Sequence, residues 1–156
     1  MNRAILSVVL LASIVFGGNA QTKQLKSYDE LMASLKAGKN VRAIIYYAKC
    51  KLVADSAVTP SPDAIGGMDF KTFEYFAPMS VRNPKAFVTT SETVLISHPR
   101  HGYVHNYVKL KIYEDGNVEI TARYLAPGTL TIVMDETFFG KISTGSDVNA
   151  VYLFEN

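Results

Sequence analysis

From Tyr103 to Tyr124 hydrophobic and polar positions alternate almost without a break. Val104, Val108, Leu110 and Ile112 are interleaved with Tyr103, His105, Tyr107, Lys109, Lys111 and Tyr113. Val118, Ile120, Ala122 and Tyr124 are interleaved in the same way with Glu119, Thr121 and Arg123. A period of two puts each set on its own face, which predicts two amphipathic strands joined near Asp115-Gly116. A two-residue Asp115-Gly116 loop would set Ile112 against Glu119 and Lys111 against Ile120, mixing core and solvent residues on one face. A three-residue loop, Glu114-Asp115-Gly116 with Gly116 left-handed, instead pairs Ile112 with Val118, Leu110 with Ile120 and Val108 with Ala122. It also sets Lys111 beside Glu119 and Tyr107 beside Arg123.

Upstream, Ser27-Tyr28-Asp29-Glu30 carries a capping box, Leu31, Met32 and Leu35 share a face, and Gly38 supplies a left-handed stop. These features predict a helix from about Tyr28 to Ala37. The run Val41 to Ala48 is charge-free from Ala43 onward and rich in β-formers, which reads as a central strand buried on both faces beneath that helix. From Lys51 to Gly67 the pattern fails, and Pro60, Pro62 and Gly66-Gly67 read as a long loop. Met68 to Ala77 fits neither period. Phe87 to Ile96 is a further strand, Leu130, Ile132, Met134 and Phe138 mark another, and Val151 to Phe154 a last short one after a Gly145–Ala150 loop. One helix followed by six or seven strands in hairpin order predicts an α+β domain: one N-terminal helix packed on a curved, mostly antiparallel meander sheet or partial barrel.

The first 20 residues are of a different kind. Arg3 opens them, Ala4 to Phe16 form an apolar run, and Gly18-Asn19-Ala20 is a small-x-small cleavage pattern, which together read as a secretory signal peptide over residues 1–20. The run is too short for a membrane span. Residues 21–156 then form a single domain that is secreted, extracellular or, in a bacterium, periplasmic. Of the 156 residues, 16 are Lys or Arg and 14 Asp or Glu, scattered along the chain, which argues against a nucleic-acid stripe. One Cys excludes a disulfide framework within the chain and a thiolate zinc site.

Three groups of residues are candidates for chemistry. His98, His101 and His105 fall within eight residues and are possible metal ligands, although two sit in a Pro/Gly turn and His105 on an outward strand face. Cys50 between Lys49 and Lys51 is a candidate nucleophile or a link between two chains in a homodimer; equally, it reads as a small buried residue at a strand end. Asn106 and Glu136 fall on faces otherwise apolar, where polar groups either bond one another or line a cavity. Phe73 and Tyr75, within an aromatic cluster with Phe70 and Phe76, could floor an apolar groove or be plain core. Asp135 and Glu136, adjacent on a strand, point to opposite faces and cannot share a site. No phosphate loop, Gly-x-Ser-x-Gly, His-Glu-x-x-His or Cys-x-x-Cys is present, so no catalytic residue and no cofactor is assigned.

Several stretches together carry a family resemblance. The leader, Ser27-Tyr28-Asp29-Glu30-Leu31, Tyr47-Ala48-Lys49-Cys50, Pro62 to Asp69, Thr72 to Pro78, and Asn106 to Lys109 through Ile112 to Gly116 resemble the VirK family of small exported proteins. The resemblance spans about Ser27 to Phe154. It implies export and supplies no activity, catalytic residue or cofactor to carry over. The residues therefore point to a secreted, non-enzymatic domain that binds a protein or a small apolar ligand. The alternative is a metal-binding protein or hydrolytic enzyme using the histidines or Cys50.

The three-residue loop makes one substitution informative. Gly116→Ala is expected to cost about 1–2 kcal/mol by forcing a side chain into the left-handed region, and an unchanged denaturation midpoint would count against the register.

Overall fold

The computed structural model describes residues 22–54, 57–146 and 148–156. The leader at 1–20 lies outside the described residues. Helix α1, Tyr28–Lys36, begins where the capping box places it. The Glu30 N–H donates to Ser27 Oγ at 3.2 Å, and Glu30 Oε2 accepts from the Lys26 N–H at 2.6 Å. At the other end the Gly38 N–H donates to Leu35 O and the Lys39 N–H to Ser34 O, with Gly38 at φ 71°. That pair of bonds closes the last turn as a Schellman motif. Among the described residues no helix is long and apolar enough to cross a membrane.

The other regular elements are a 3-10 turn, Tyr47–Lys49, and the strands β1 Lys23–Leu25, β2 Val41–Tyr46, β3 Lys51–Ala54, β4 Ala57–Thr59, β5 Ile65–Asp69 and β6 Glu74–Phe76. The longer strands follow: β7 Phe87–His98, β8 Gly102–Tyr113, β9 Asn117–Leu125 and β10 Ile132–Lys141, then the short β11 Val151–Glu155. Among the described residues they form two antiparallel sheets, a four-stranded one ordered β1-β11-β2-β5 and a seven-stranded one ordered β4-β3-β10-β9-β8-β7-β6. Strand makes up 55% of the described structure and helix 9%, so the domain is mainly β, two sheets around one core. This corrects the α+β expectation of a helix packed on a meander or partial barrel.

The physical reason for the difference lies in the short strands. Lys51 to Gly67, read as loop, holds β3, β4 and the start of β5. Strands of three to five residues offer too few positions for a period to show. Gly66 and Gly67, read as part of that loop, are strand residues of β5 paired with Ile45 and Ile44. A Cβ on Gly67 would lie 3.2 Å from Arg42 Nη2 and 3.3 Å from Ile44 Cδ1, so here glycine answers to close side-chain approach rather than to a turn. Strand β2 is central but buried on one face only: Val41, Ala43 and Ile45 are buried, Ile44 and Tyr46 half-buried, and Arg42 exposed.

The β8–β9 hairpin has the three-residue loop with Gly116 at φ 78°, and pairs Ile112 with Val118, Leu110 with Ile120, Val108 with Ala122, Lys111 with Glu119 and Tyr107 with Arg123. Its neighbour β10 departs from simple alternation. A register shift between Ile132 and Met134 sets Ile132 opposite Leu125 and Met134 opposite Tyr124. This bulge turns Ile132 to the outer face, 47% exposed, away from the Met134 and Phe138 face on which alternation had placed it.

The core lies between matched rows. In the small sheet Leu25, Leu153, Ala43 and Met68 are cross-strand neighbours, all buried. In the large sheet Thr90, Leu110, Ile120, Phe138 and Leu52 form one row, beside Val88, Ile112 and Val118. Each fully buried Leu, Ile or Phe here contributes about 1.5–3 kcal/mol. The helix adds Tyr28, Leu31, Met32 and Leu35 to the same core. It is tied to the last strand by Glu155, whose carboxylate accepts from Ser34 Oγ and, at 2.8 Å, from Lys39 Nζ.

Hydrogen bonds from Lys39 and Ser34 hold the Glu155 carboxyl below its ordinary 4.5. A carboxyl that titrates lower when folded contributes stability above its unfolded pKa and loses it as pH falls through the folded one. Glu155→Gln is therefore expected to flatten the acid limb of the stability profile below about 4.5, read from denaturation midpoints in an acid series. An acid limb as steep as in the wild type would contradict this role.

Candidate ligand cleft between the sheets

Beyond the Thr90–Phe138 row the inner face of the large sheet changes character. The next row is Glu92, Val108, Ala122 and Glu136, and the one after it Val94, Asn106, Tyr124 and Met134. Facing them are Ile45, Tyr47 and the chain from Pro62 to Met68. Two recesses of about 250 and 270 Å³ result, one reaching Glu92 and Val94, the other Met134 and Glu136. Tyr47, Asn106 and Val108 line both, so the two adjoin as one cleft.

Tyr47 stands where core gives way to cleft. Its N–H donates to Ala64 O at 2.9 Å, and its ring meets Phe138 edge-on at 4.8 Å between centroids. A Cβ on Gly66 would lie 2.9 Å from the ring and 3.2 Å from its hydroxyl. The ring thus bridges β5 and β10, and Gly66 is the residue that leaves it room. Burial, with Cys50, Tyr124 and Glu136 adding, pushes its phenol up to about 12. At neutral pH Tyr47 presents a hydroxyl, not a phenolate.

The polar groups of the cleft are underused by the protein itself. Tyr47 Oη, the Asn106 amide and the Glu136 carboxylate have no hydrogen-bond or ion-pair partner among the described residues. Glu92, by contrast, pairs with Lys71 through Oε1. Three unpartnered groups on walls of Val94, Val108, Ala122, Met134 and Phe138 give a site with an apolar body and a few orienting polar atoms.

The other sequence candidates lie elsewhere. Phe73 borders a separate depression beside Thr89 and Lys109, and Tyr75, 47% exposed, lies 5.8 Å beneath Lys36 Nζ. His98 and His101 stack at 4.8 Å between centroids, with Tyr124 5.0 Å from His98. His98 is on the inner face of its strand, whereas His105, paired with Leu95 and Leu125, is on the outer one, so the three rings do not converge. Among the described residues no group of three or more His, Cys, Asp or Glu side chains could hold a metal ion. Asp135 turns outward to Arg123 Nε at 2.9 Å, away from Glu136. Sequence reasoning missed Tyr47, Glu92 and Tyr124. Tyr47 sits in an apolar run with nothing local to distinguish it, and Glu92 and Tyr124 carried a signal only in their share of the inner-face alternation.

The same architecture connects the chain to known proteins. The model of the VirK family, described as VirK protein, matches residues 24–130, more than half of the chain. The chain belongs to the VirK family. A crystal structure of a VirK family protein from Legionella pneumophila superposes with a TM-score of 0.65 at 15% identity, covering 84% of this chain and 98% of that one. At that identity the likeness shows a shared fold. No curated protein matches the sequence. The family match covers the β2, β5, β7, β8 and β9 sides of the cleft, while Met134, Glu136 and Phe138 on β10 lie past its end.

Cys50 is buried, 8% exposed, with Sγ 3.7 Å from Tyr46 O, and burial pushes its thiol up to about 11. A protonated, enclosed thiol suits neither a nucleophile nor a bridge between chains. Cys50 is expected to react with an aromatic disulfide reagent slowly at pH 8 in the folded protein and fast after denaturation. Equal rates in the two states would show the thiol to be open and reactive.

Proposed function

We propose that this VirK family member is an exported binding protein that holds a small, partly apolar ligand in the cleft between its sheets. The observation that carries the reading is the convergence of Tyr47 Oη, Asn106 and Glu136, each without a protein partner among the described residues, on apolar walls. Leaving polar groups unpaired in a cleft costs little while water fills it and is repaid when a ligand supplies matching atoms. The recesses, about 250 and 270 Å³, reach the range of sites that take small molecules, roughly 300–1,000 Å³, only when joined as one cleft. Export rests on the leader at residues 1–20.

Binding is favoured over chemistry by the state of the groups present. Tyr47 and Cys50 are both pushed away from their reactive anions by burial. The cleft thus offers a neutral donor at Tyr47, an amide at Asn106 and an acceptor carboxylate at Glu136. A ligand with an apolar body and a hydrogen-bond donor at one end matches that set.

N-phenyl-1-naphthylamine, an apolar fluorophore with one N–H, tests the reading. Saturable one-to-one binding is expected for the wild type. Val94→Glu, at a position half exposed on the cleft wall, is expected to weaken it about tenfold, or about 1.4 kcal/mol, with an unchanged melting temperature. Absence of saturable binding, or wild-type affinity in the variant, would overturn the assignment of the cleft.

A further inference from the structure

The outer edge of β7 is covered along only part of its length. Strand β6 pairs with Phe87–Thr89, and the chain before it reaches a little further, with Thr90 Oγ1 donating to Thr72 O at 2.6 Å and Lys71 pairing with Glu92. From Thr93 to His98 no described strand or backbone group pairs on that side. Which residues face outward follows from the ladder. The Glu114 N–H donates to Ala86 O across the β7–β8 register, so Ala86 and, by alternation, the even-numbered residues of β7 turn their backbone groups to β8. Thr93, Leu95 and Ser97 therefore aim their N–H and C=O groups outward. Val94 is 50% and Leu95 56% exposed there. Between Thr93 and His98 no Asp, Glu, Lys, Arg, Pro or bulge blunts the strand, so this stretch lacks the devices that ordinarily keep edges from pairing.

We propose that the occupant of this edge is a second copy of the chain, joined β7 to β7 in antiparallel fashion about a two-fold axis through Leu95. The register is set by complementarity. With Leu95 on the axis, Leu95 meets Leu95, Thr93 meets Ser97, Val94 meets Ile96 and Glu92 meets His98. The outward-facing odd residues then face one another and exchange hydrogen bonds, as an antiparallel ladder requires. Moving the axis back one residue sets Glu92 against Ile96. Moving it forward one sets Thr93 against Pro99, which has no N–H to give.

The polar pair has atoms free for the purpose. Lys71 holds Glu92 through Oε1, leaving Oε2. The Arg100 N–H donates to His98 Nδ1 at 3.2 Å, so the ring carries its own proton on Nε2, the atom available to a carboxylate. An unrelated extended peptide would gain the backbone bonds but not this matched set of side chains. The two-fold contact is isologous and closes on itself, covering both edges instead of propagating a fibre. Because Glu92 and Val94 also line the cleft, the two clefts of such a dimer would open beside the shared axis.

Sedimentation velocity of the exported protein over a concentration series, with amide hydrogen exchange on the same samples, tests the proposal. A monomer–dimer equilibrium is expected, with the Thr93, Leu95 and Ser97 amides gaining protection as concentration rises while the Val94 and Ile96 amides stay protected throughout. Leu95→Lys, which sets two like charges on the axis, and His98→Glu, which sets carboxylates against each other, are each expected to weaken the dimer at least about tenfold. A monomer at every concentration would overturn the proposal. So would a dimer that neither substitution weakens, or odd-numbered amides whose exchange does not depend on concentration.

Discussion

The architecture turns on a mismatch of strand lengths. Strands β7 and β8 each run 12 residues, whereas β2, β5 and β11 of the small sheet have six, five and five. At about 3.3 Å per residue the long pair extends roughly 40 Å and the short ones half as far or less. The small sheet therefore packs closely against only part of the inner face of the large one. The sequence follows this division row by row. Closely packed are Val88, Ile112, Val118 and then Leu110, Ile120, Phe138, all buried; beyond them come Glu92, Glu136, Asn106 and Tyr124. The cleft lies where the two sheets part, with Ile45, Tyr47 and the Pro62–Met68 chain across from those polar rows.

What keeps the close-packed part from opening is fixed at two places. At the helix end, Glu155 gathers Ser34 and Lys39 onto the last strand, so that α1 closes one end of the core and β11 cannot slide without losing a charged contact. At the cleft end, Tyr47 spans from Gly66 to Phe138 and takes up the space where the sheets begin to part. A smaller side chain there would join cleft and core, and a Cβ at position 66 would push the ring from its place. The hydroxyl at the ring tip is thus a polar atom carried to the boundary by an otherwise apolar packing element.

How much of this could be read in the sequence depends on how local the information is. The capping box and Gly38 gave α1 within one residue of its ends, and the β8–β9 register followed from alternation and the left-handed Gly116, since all of those signals lie within a few residues of what they specify. The class of the fold did not follow. It depends on β11 inserting between β1 and β2, which are far away in the chain, and on short strands that carry no period. Gly66 and Gly67 misled for a related reason, because a glycine kept for a neighbour's side chain looks the same in sequence as one that marks a loop. In the cleft, Asn106 and Glu136 stood out as polar residues on apolar faces. Tyr47 did not, since its importance comes from Phe138 some ninety residues away. The histidines followed the same local logic: closeness in sequence brings His98 and His101 together, and the alternation that read His105 as outward-facing is the one the strand pleat shows.

Family membership and the cleft bear on each other through β10. The match to the VirK family ends at residue 130, just before the bulge between Ile132 and Met134. Without that bulge the alternation of β10 would continue from Ile132, and the residues now reaching the cleft would not stand in the same frame as the strand's exposed start. With it, Met134, Glu136 and Phe138 face inward while Ile132 is released to solvent. The walls supplied by β7, β8 and β9 and by the Pro62–Met68 segment thus come from the part of the chain that the family model describes, and the β10 side from the part beyond it. A fold shared at 15% identity leaves the contents of such a cleft free to differ, because the scaffold depends on the close-packed rows and the ligand would meet only those that line the cleft.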